Sequence, residues 1–261
     1  MTYETILYEK RDGLAVITLH RPERMNALSF QLKEETAAAF DEAGRDDEVL
    51  VVVLTGGPKV FSAGADIKER STVQMSQARF YFAQKQSADF YTRIEHFEKP
   101  VIGAISGVAV GGGCELALVC DVRIASETAR FGLPEVKLGM IPAAGGTQRL
   151  PRLIGEARAK ELIFTGEFID AGEAWRIGLV NRVVPVESLM DEAEALARKL
   201  MANPPLSIRF AKRAVTVGLQ LDLASALDYE AHCASLLYAS EDRQEGMRAF
   251  REKRKPVFKG R

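Results

Sequence analysis

Two glutamates and two short runs of small residues carry the chemistry open to this chain. The runs are Ala63-Gly64-Ala65-Asp66 and Gly111-Gly112-Gly113, and Cys114-Glu115 directly follows the second. The other glutamate closes the segment Phe131-Gly132-Leu133-Pro134-Glu135. Small residues let a ligand approach the backbone, so two such turns can aim two peptide N–H groups at one oxygen. Carboxylates beside that oxygen can take a proton from water and hand one on. Polarising a carbonyl while moving water and a proton is chemistry suited to an acyl thioester.

Each feature also has a plainer reading. Three consecutive glycines fit a tight strand-to-helix turn as well as a helix N-terminus whose unsatisfied N–H groups face a bound oxygen. Glu115 stands three residues after Gly112, which on a helix returns it to the same face about 4.5 Å along the axis. A first-turn glutamate also simply suits the helix dipole. Asp66 has the chemistry of a helix cap. A glutamate in a loop is usually solvated, but Phe131, Leu133, Val136 and Leu138 surround Glu135 in sequence. Partial burial among them would raise its pKa and suit it to proton transfer. The glycines match neither a dinucleotide fingerprint nor a phosphate-binding loop.

The elements that must position these groups follow from apolar patterning. Leu14 to Leu19, Val49 to Leu54 and Val101 to Ile105 are nearly continuous apolar runs bounded by Gly or Pro, which predicts strands covered on both faces, as in a parallel sheet. Between the first two, Phe30, Leu32, Ala37, Ala38 and Phe40 fit a helix opened by Ser29. Val73 to Phe97 reads as a long helix without internal Gly or Pro. After about residue 185, Leu189, Met190, Ala193, Leu196, Ala197, Leu200 and Met201 recur at helical spacing. Pro204-Pro205 ends that helix and opens another, and residues 222–239 and 241–254 read as helices too. The expected organisation is an α/β core over 1–195 with a helical section over 196–261, together forming one domain.

Composition narrows the function classes. The chain has 261 residues, 47% hydrophobic and 27% charged, enough for a sizeable core. A net charge of −1 argues against dependence on nucleic acid or an anionic membrane. No apolar run approaches the roughly 20 residues of a membrane span, and Met1-Thr2-Tyr3-Glu4 opens without a secretory pattern. Cys114, Cys120 and Cys233 form no C-x-x-C, which fits buried reduced thiols and a cytoplasmic location. His20, His96 and His232 are scattered, so no metal site is expected.

Taken together, the two small-residue runs and the two glutamates resemble the enoyl-CoA hydratase (crotonase) family in order and spacing. Arg21-Pro22-Glu23-Arg24-Met25-Asn26-Ala27-Leu28 looks like that family's first CoA-contacting loop. Ile141-Pro142-Ala143-Ala144-Gly145-Gly146-Thr147-Gln148-Arg149-Leu150 matches its segment after the second glutamate, and Phe250-Arg251-Glu252-Lys253-Arg254-Lys255-Pro256 its C-terminal signature. The resemblance covers roughly residues 3–260.

It implies an α/β spiral of ββα units with C-terminal helices that build homotrimers, or homohexamers as paired trimers. It also implies an acyl-CoA thioester as partner, with coenzyme A part of the substrate and no separate cofactor. The amides of Ala65 and Gly112 would form the oxyanion hole, and Ala27, Leu28, Ala63, Asp66 and Ile67 would line the CoA path. Lys255 or Lys259 would reach a CoA phosphate. Glu115 would activate water and Glu135 would act as the acid at Cα, the two being too close to ionise independently.

The family hosts several reactions on one scaffold. Isomerase members typically keep only the later carboxylate, so the presence of both favours hydration. Residues 146–166 look similar to methylglutaconyl-CoA hydratases, whereas Gly132-Leu133-Pro134-Glu135 looks more like the short-chain type. Some methylglutaconyl-type relatives bind RNA through a lysine-rich early helix. Here residues 31–48 carry Lys33 and Arg45 against Glu34, Glu35, Asp41, Glu42, Asp46, Asp47 and Glu48, a face that repels phosphates. A catalytically silent CoA-binding protein is the remaining alternative, and the two glutamates argue against it. One departure stands out: Ala143 occupies a position that is usually glycine, and if that position needs a positive φ, alanine costs on the order of 1 kcal/mol.

Overall fold

The computed structural model describes residues 3–71 and 74–261. The chain opens with an antiparallel hairpin, β1 (Ile6–Arg11) and β2 (Leu14–Leu19), followed by helix α1 (Phe30–Arg45). Ser29 starts α1 because its hydroxyl accepts the Leu32 N–H, satisfying a donor that the first turn cannot.

A unit of two strands and helix then recurs. Its first pass is β3 (Val51–Thr55), β4 (Val60–Ser62), α2 (Ile67–Ser71) and α3 (Gln77–Glu95). The second is β5 (Val101–Ile105), β6 (Val108–Val110) and α4 (Gly112–Leu118). The third is β7 (Val122–Ser126), β8 (Arg130–Gly132), α5 (Gly146–Ile154) and α6 (Glu156–Thr165). In each pass the first strand joins a six-stranded sheet ordered β1-β2-β3-β5-β7 and ending on β10 (Arg182–Val184). The second strand joins a four-stranded sheet, β4-β6-β8, ending on β9 (Ile169–Asp170). Strands β2, β3, β5, β7 and β10 are mutually parallel, and β2, β3 and β5 are the three apolar runs whose two-sided character predicts this. This is the α/β spiral of ββα units expected from the resemblance.

Strand alternation divides the side chains of the large sheet between two cores. Ala15, Ile17, Val52, Leu54, Val101 and Ile105 face the main core with Leu32, Phe40, Ile94 and Leu116. Leu14, Val16, Val51, Val53, Ile102 and Ala104 face the other way, against Leu189, Ala193 and Ala197. Each Val, Leu, Ile or Phe among them taken fully out of water contributes roughly 1.5–3 kcal/mol, and each Ala less, before conformational entropy is set against it. The pairing of β3 starts at Val51 rather than Val49, because the buried Val49 uses its amide to close a turn on the Asp46 carbonyl.

The α3 helix is shorter than its apolar stretch predicts. It begins at Gln77, where the Ser76 hydroxyl accepts the Arg79 N–H, and ends at Glu95. Val73, at the predicted start, lies outside the described residues.

After α7 (Ala171–Arg176), helix α8 (Leu189–Met201) packs on the large sheet. The division drawn at 195/196 falls inside α8, whose Ala193 and Ala197 are both buried against that sheet. The section that leaves the sheet starts instead at α9 (Pro205–Gly218), followed by α10 (Leu223–Tyr238) and α11 (Glu241–Glu252). The Lys212 ammonium moors α9 by pairing with Asp121 at 2.7 Å, and the same carboxylate oxygen accepts the Val101 N–H. These last helices and the link between α9 and α10 expose large apolar side chains, among them Leu219 at 75%, Leu223 at 74% and Phe250 at 83%.

Candidate active site

The site forms where the loops after β4 and β6 meet. Ala63-Gly64-Ala65-Asp66 leaves β4, and Gly111 links β6 to α4. At Gly64, with φ +89°, a Cβ would lie 2.7 Å from the Val110 carbonyl oxygen and 3.1 Å from the Gly112 nitrogen. A side chain there would keep the loops apart. At Gly112 a Cβ would fall 3.5 Å from the Ala65 nitrogen, so the two expected oxyanion-hole amides are neighbours. The Gly112 N–H opens α4 and is therefore among those left without an acceptor inside the helix. Among the described residues, neither amide has a hydrogen-bond acceptor in the protein.

The loop at 63–66 is zipped to the segment 25–28. The Ala63 N–H donates to the Met25 carbonyl, the Leu28 N–H to the Gly64 carbonyl, and Leu28 bridges Ala65. Arg21 ties both segments together by donating to the Ala27 carbonyl at 2.7 Å and to Asp66 at 3.2 Å. Asp66 also caps α2 by accepting the Glu69 N–H. Burial alone would raise the Asp66 carboxyl, but the Glu69 amide and Arg21 hold it below its ordinary range. Ala27, Leu28, Ala63, Asp66 and the exposed Ile67 are thereby gathered along one rim beside Ala65 and Gly112.

Two different elements bring the glutamates in. Glu115 lies on the first turn of α4, 3% exposed, and its Oε1 accepts the N–H groups of Ala144 and Gly146, both at 2.8 Å. Glu135 belongs to a 3-10 turn, Pro134–Leu138, rather than to an irregular loop. A Cβ on Gly111 would lie 3.3 Å from the Glu135 Oε1, which fixes that carboxyl against the glycine turn. Burial pushes the Glu135 carboxyl up to about 7; a hydrogen bond from its own backbone opposes the rise, and repulsion from Glu115 adds to it. Its Oε2 is buried without a hydrogen-bond partner. A carboxyl group that lies against the glycine turn by one oxygen and leaves the other without a protein partner can exchange a proton with a bound molecule.

Lys255 and Lys259 are not brought to this place. Both are exposed, and the tail that carries Lys259 is fastened to α11 through Asp242, which accepts the N–H groups of Lys259 and Gly260. Ala143 is not among the residues with positive φ, so the strain considered for alanine there does not arise. All three cysteines are buried and unpaired, and burial pushes the thiols of Cys114 and Cys120 up to about 12. Among the described residues no cluster of His, Cys, Asp and Glu is arranged to hold a metal, and no helix is long and apolar enough to cross a membrane.

Sequence reasoning missed the residues that hold the loops. Asn26 takes φ +52° and donates to the carbonyls of Gly56, Val60 and Phe61, while its Oδ1 accepts the Arg21 N–H. An asparagine is one of the few residues that tolerates this left-handed backbone, and that is the signal it left in the sequence. Ser62 donates its hydroxyl to the Asn26 carbonyl and accepts the Gly64 N–H. The amides of Ala144 and Gly146 left no signal at all, because any residue except proline supplies one.

Known proteins share this architecture. A sequence model described as enoyl-CoA hydratase/isomerase matches residues 9–261. The chain is 45% identical over 259 residues to the crotonyl-CoA hydratase of Syntrophomonas wolfei, covering 99% of each chain. It is 44% identical to the short-chain-enoyl-CoA hydratase of Clostridium acetobutylicum, covering 98% of this chain and 97% of that one. The crystal structure of enoyl-CoA hydratase from Bacillus anthracis superposes with a TM-score of 0.93 at 43% identity, over 99% of this chain and 100% of the other. Similarity of this extent and identity reaches well beyond the fold, and the chain belongs to the enoyl-CoA hydratase/isomerase family.

Proposed function

We propose that this protein adds water across the double bond of a trans-2-enoyl-CoA to give a 3-hydroxyacyl-CoA. The observation that carries the reading is the convergence of Glu115 and Glu135, from separate elements, on the turn that also presents the Gly112 amide. Addition at Cβ builds negative charge on the thioester oxygen. The N–H groups of Ala65 and Gly112 hold that charge, and losing one such donor typically costs about 10²–10³ in rate. Glu115 takes a proton from the attacking water as its oxygen bonds to Cβ. Glu135, whose carboxyl titrates at about 7, hands its proton to Cα. A proton passed back from Glu115 to Glu135 resets the pair.

Ala27, Leu28, Ala63, Asp66 and Ile67 would seat the CoA moiety, which enters as part of the substrate, with no further cofactor. Lys259 or Lys255 would meet a CoA phosphate from a neighbouring subunit, since neither joins the glutamates within one chain. The apolar surface of α9, α10 and α11 supports assembly into a trimer, or into paired trimers, by covering Leu219, Leu223 and Phe250. Sedimentation velocity tests this, and a monomer at micromolar concentration would remove it. The names of the crotonyl-CoA and short-chain relatives favour a short acyl chain. A place in cytoplasmic fatty-acid β-oxidation accords with that substrate.

The test is loss of the conjugated enoyl-thioester absorbance of crotonyl-CoA, with Glu115→Gln and Glu135→Gln alongside. Fast loss in the wild type and collapse in both variants is the expected result. No loss in the wild type would end the short-chain reading and turn attention to branched esters such as methylglutaconyl-CoA. Activity that survives Glu115→Gln but not Glu135→Gln would favour double-bond isomerisation by a single carboxyl group.

A further inference from the structure

Glu115 does not hold its position through α4 alone. The amides that meet its Oε1 come from Ala144, in the turn that leads into α5, and from Gly146, which opens α5. The segment 144–146 has Gly145 at its centre with φ +110° and needs something to fix it. Arg149, on α5, turns its guanidinium back beneath the segment and donates from Nη1 to the Ala144 carbonyl at 3.0 Å. A Cβ at Gly145 would fall 1.8 Å from that Nη1, so the guanidinium lies directly against bare backbone. The remaining edge of the guanidinium grips Glu95 at the end of α3, Nε to Oε1 at 2.9 Å and Nη2 to Oε2 at 2.7 Å, and Nη2 also reaches the Thr92 hydroxyl at 3.3 Å.

One residue thus closes a continuous chain: Glu95 holds Arg149, Arg149 holds the Ala144 carbonyl, and the Ala144 amide holds Glu115. The Arg149 and Glu95 side chains are only 17% and 29% exposed, and the pair is two-pronged, unlike an ordinary surface ion pair. Lysine cannot reproduce this. Its ammonium is a point charge, and it cannot spread donors over a carboxylate and a carbonyl in one plane.

We propose that Arg149 is a positioning residue for Glu115, acting through the 144–146 segment and itself oriented by Glu95. This rests on Glu115 being the group that activates water. Glu135 from the 3-10 turn and Cys114 on α4 are coupled to Glu115 through their charge, and substitutions at 149 or 95 change neither of them.

The test uses the full chain with Arg149→Lys, Glu95→Gln and the double variant, each measured for kcat and KM on crotonyl-CoA and for amide hydrogen exchange. Arg149→Lys should lower kcat about 10–100-fold while KM changes less than about 3-fold, because CoA binding uses other loops. Exchange should rise at 143–147 and stay unchanged in the β2, β3 and β5 strands. Glu95→Gln should lower kcat less, since glutamine keeps one acceptor. The double variant should match Arg149→Lys alone, as expected where Glu95 acts only through Arg149. Unchanged exchange at 143–147, or a rise in KM without a fall in kcat, would overturn the proposal. Additive losses in the double variant would overturn the Glu95 link. Glu115→Gln in the same assay tests the underlying role separately: full activity there would remove the water-activating role, while the exchange data would still decide what Arg149 holds.

Discussion

Replacing Glu135 with glutamine should make this protein more stable at the pH where the replacement has taken away its activity. In the fold the Glu135 carboxyl is pushed from its ordinary 4.5 up to about 7, chiefly by burial. Between those two pH values the folded chain binds a proton that the unfolded chain does not. Stability therefore falls as pH rises through that window, and the loss is complete above about 7. At about 1.36 kcal/mol per pKa unit the ceiling is roughly 3 kcal/mol. The side chain keeps some contact with solvent, and screening brings the expected penalty to on the order of 1–2 kcal/mol. Glutamine, nearly the same shape as the protonated acid, does not carry that penalty. The unfolding entropy expected for a chain of this length converts the difference to roughly 2–4 °C in Tm. The assay is thermal melting of wild type and Glu135→Gln at pH 5 and pH 8, at one protein concentration. The variant should gain on the wild type between pH 5 and pH 8. An equal Tm gap at both pH values, or a gap that moves against the variant at pH 8, would refute the account of a carboxyl held neutral by burial.

For the same group, kcat/KM on crotonyl-CoA should fall as pH rises through about 7, because the acid that serves Cα loses its proton there; a profile flat from pH 6 to 9 would exclude Glu135 from that role. Gly112→Ala places a methyl 2.8 Å from the Tyr91 hydroxyl and 3.5 Å from the Ala65 amide, and should lower kcat by about 10²–10³ with far-UV circular dichroism retained. Asn26→Ala removes donors from three carbonyls and should cost about 2–3 kcal/mol in urea unfolding, read as a lower midpoint at unchanged slope. Gly64→Ala meets both a positive φ and the Val110 carbonyl at 2.7 Å, so soluble yield should fall more steeply than for Gly112→Ala.

Much of this protein is legible in its sequence, and the reason is local. Apolar runs such as 14–19 and 101–105 declare strands covered on both faces, since they are apolar on both sides and too short, between their Gly and Pro boundaries, for a buried helix. Ser29 announces α1 because capping is chemistry between residues three apart. Small-residue turns and glutamates mark the site because close approach and proton transfer each admit few residue types. What the sequence withholds is of two kinds. One is the convergence of remote segments: the contact of Gly64 with Gly112, and the meeting of Glu135 with Gly111, depend on β4, β6 and β8 lying side by side. The other is chemistry supplied by the backbone. The amides of Ala144 and Gly146 that hold Glu115, and the carbonyls that hold Asn26, belong to every residue alike and become specific only when the fold aims them. The raised pKa of Glu135 combines both, for apolar neighbours in sequence hint at burial, but only the packed turn sets how far the carboxyl is withdrawn from water and how near it stands to Glu115.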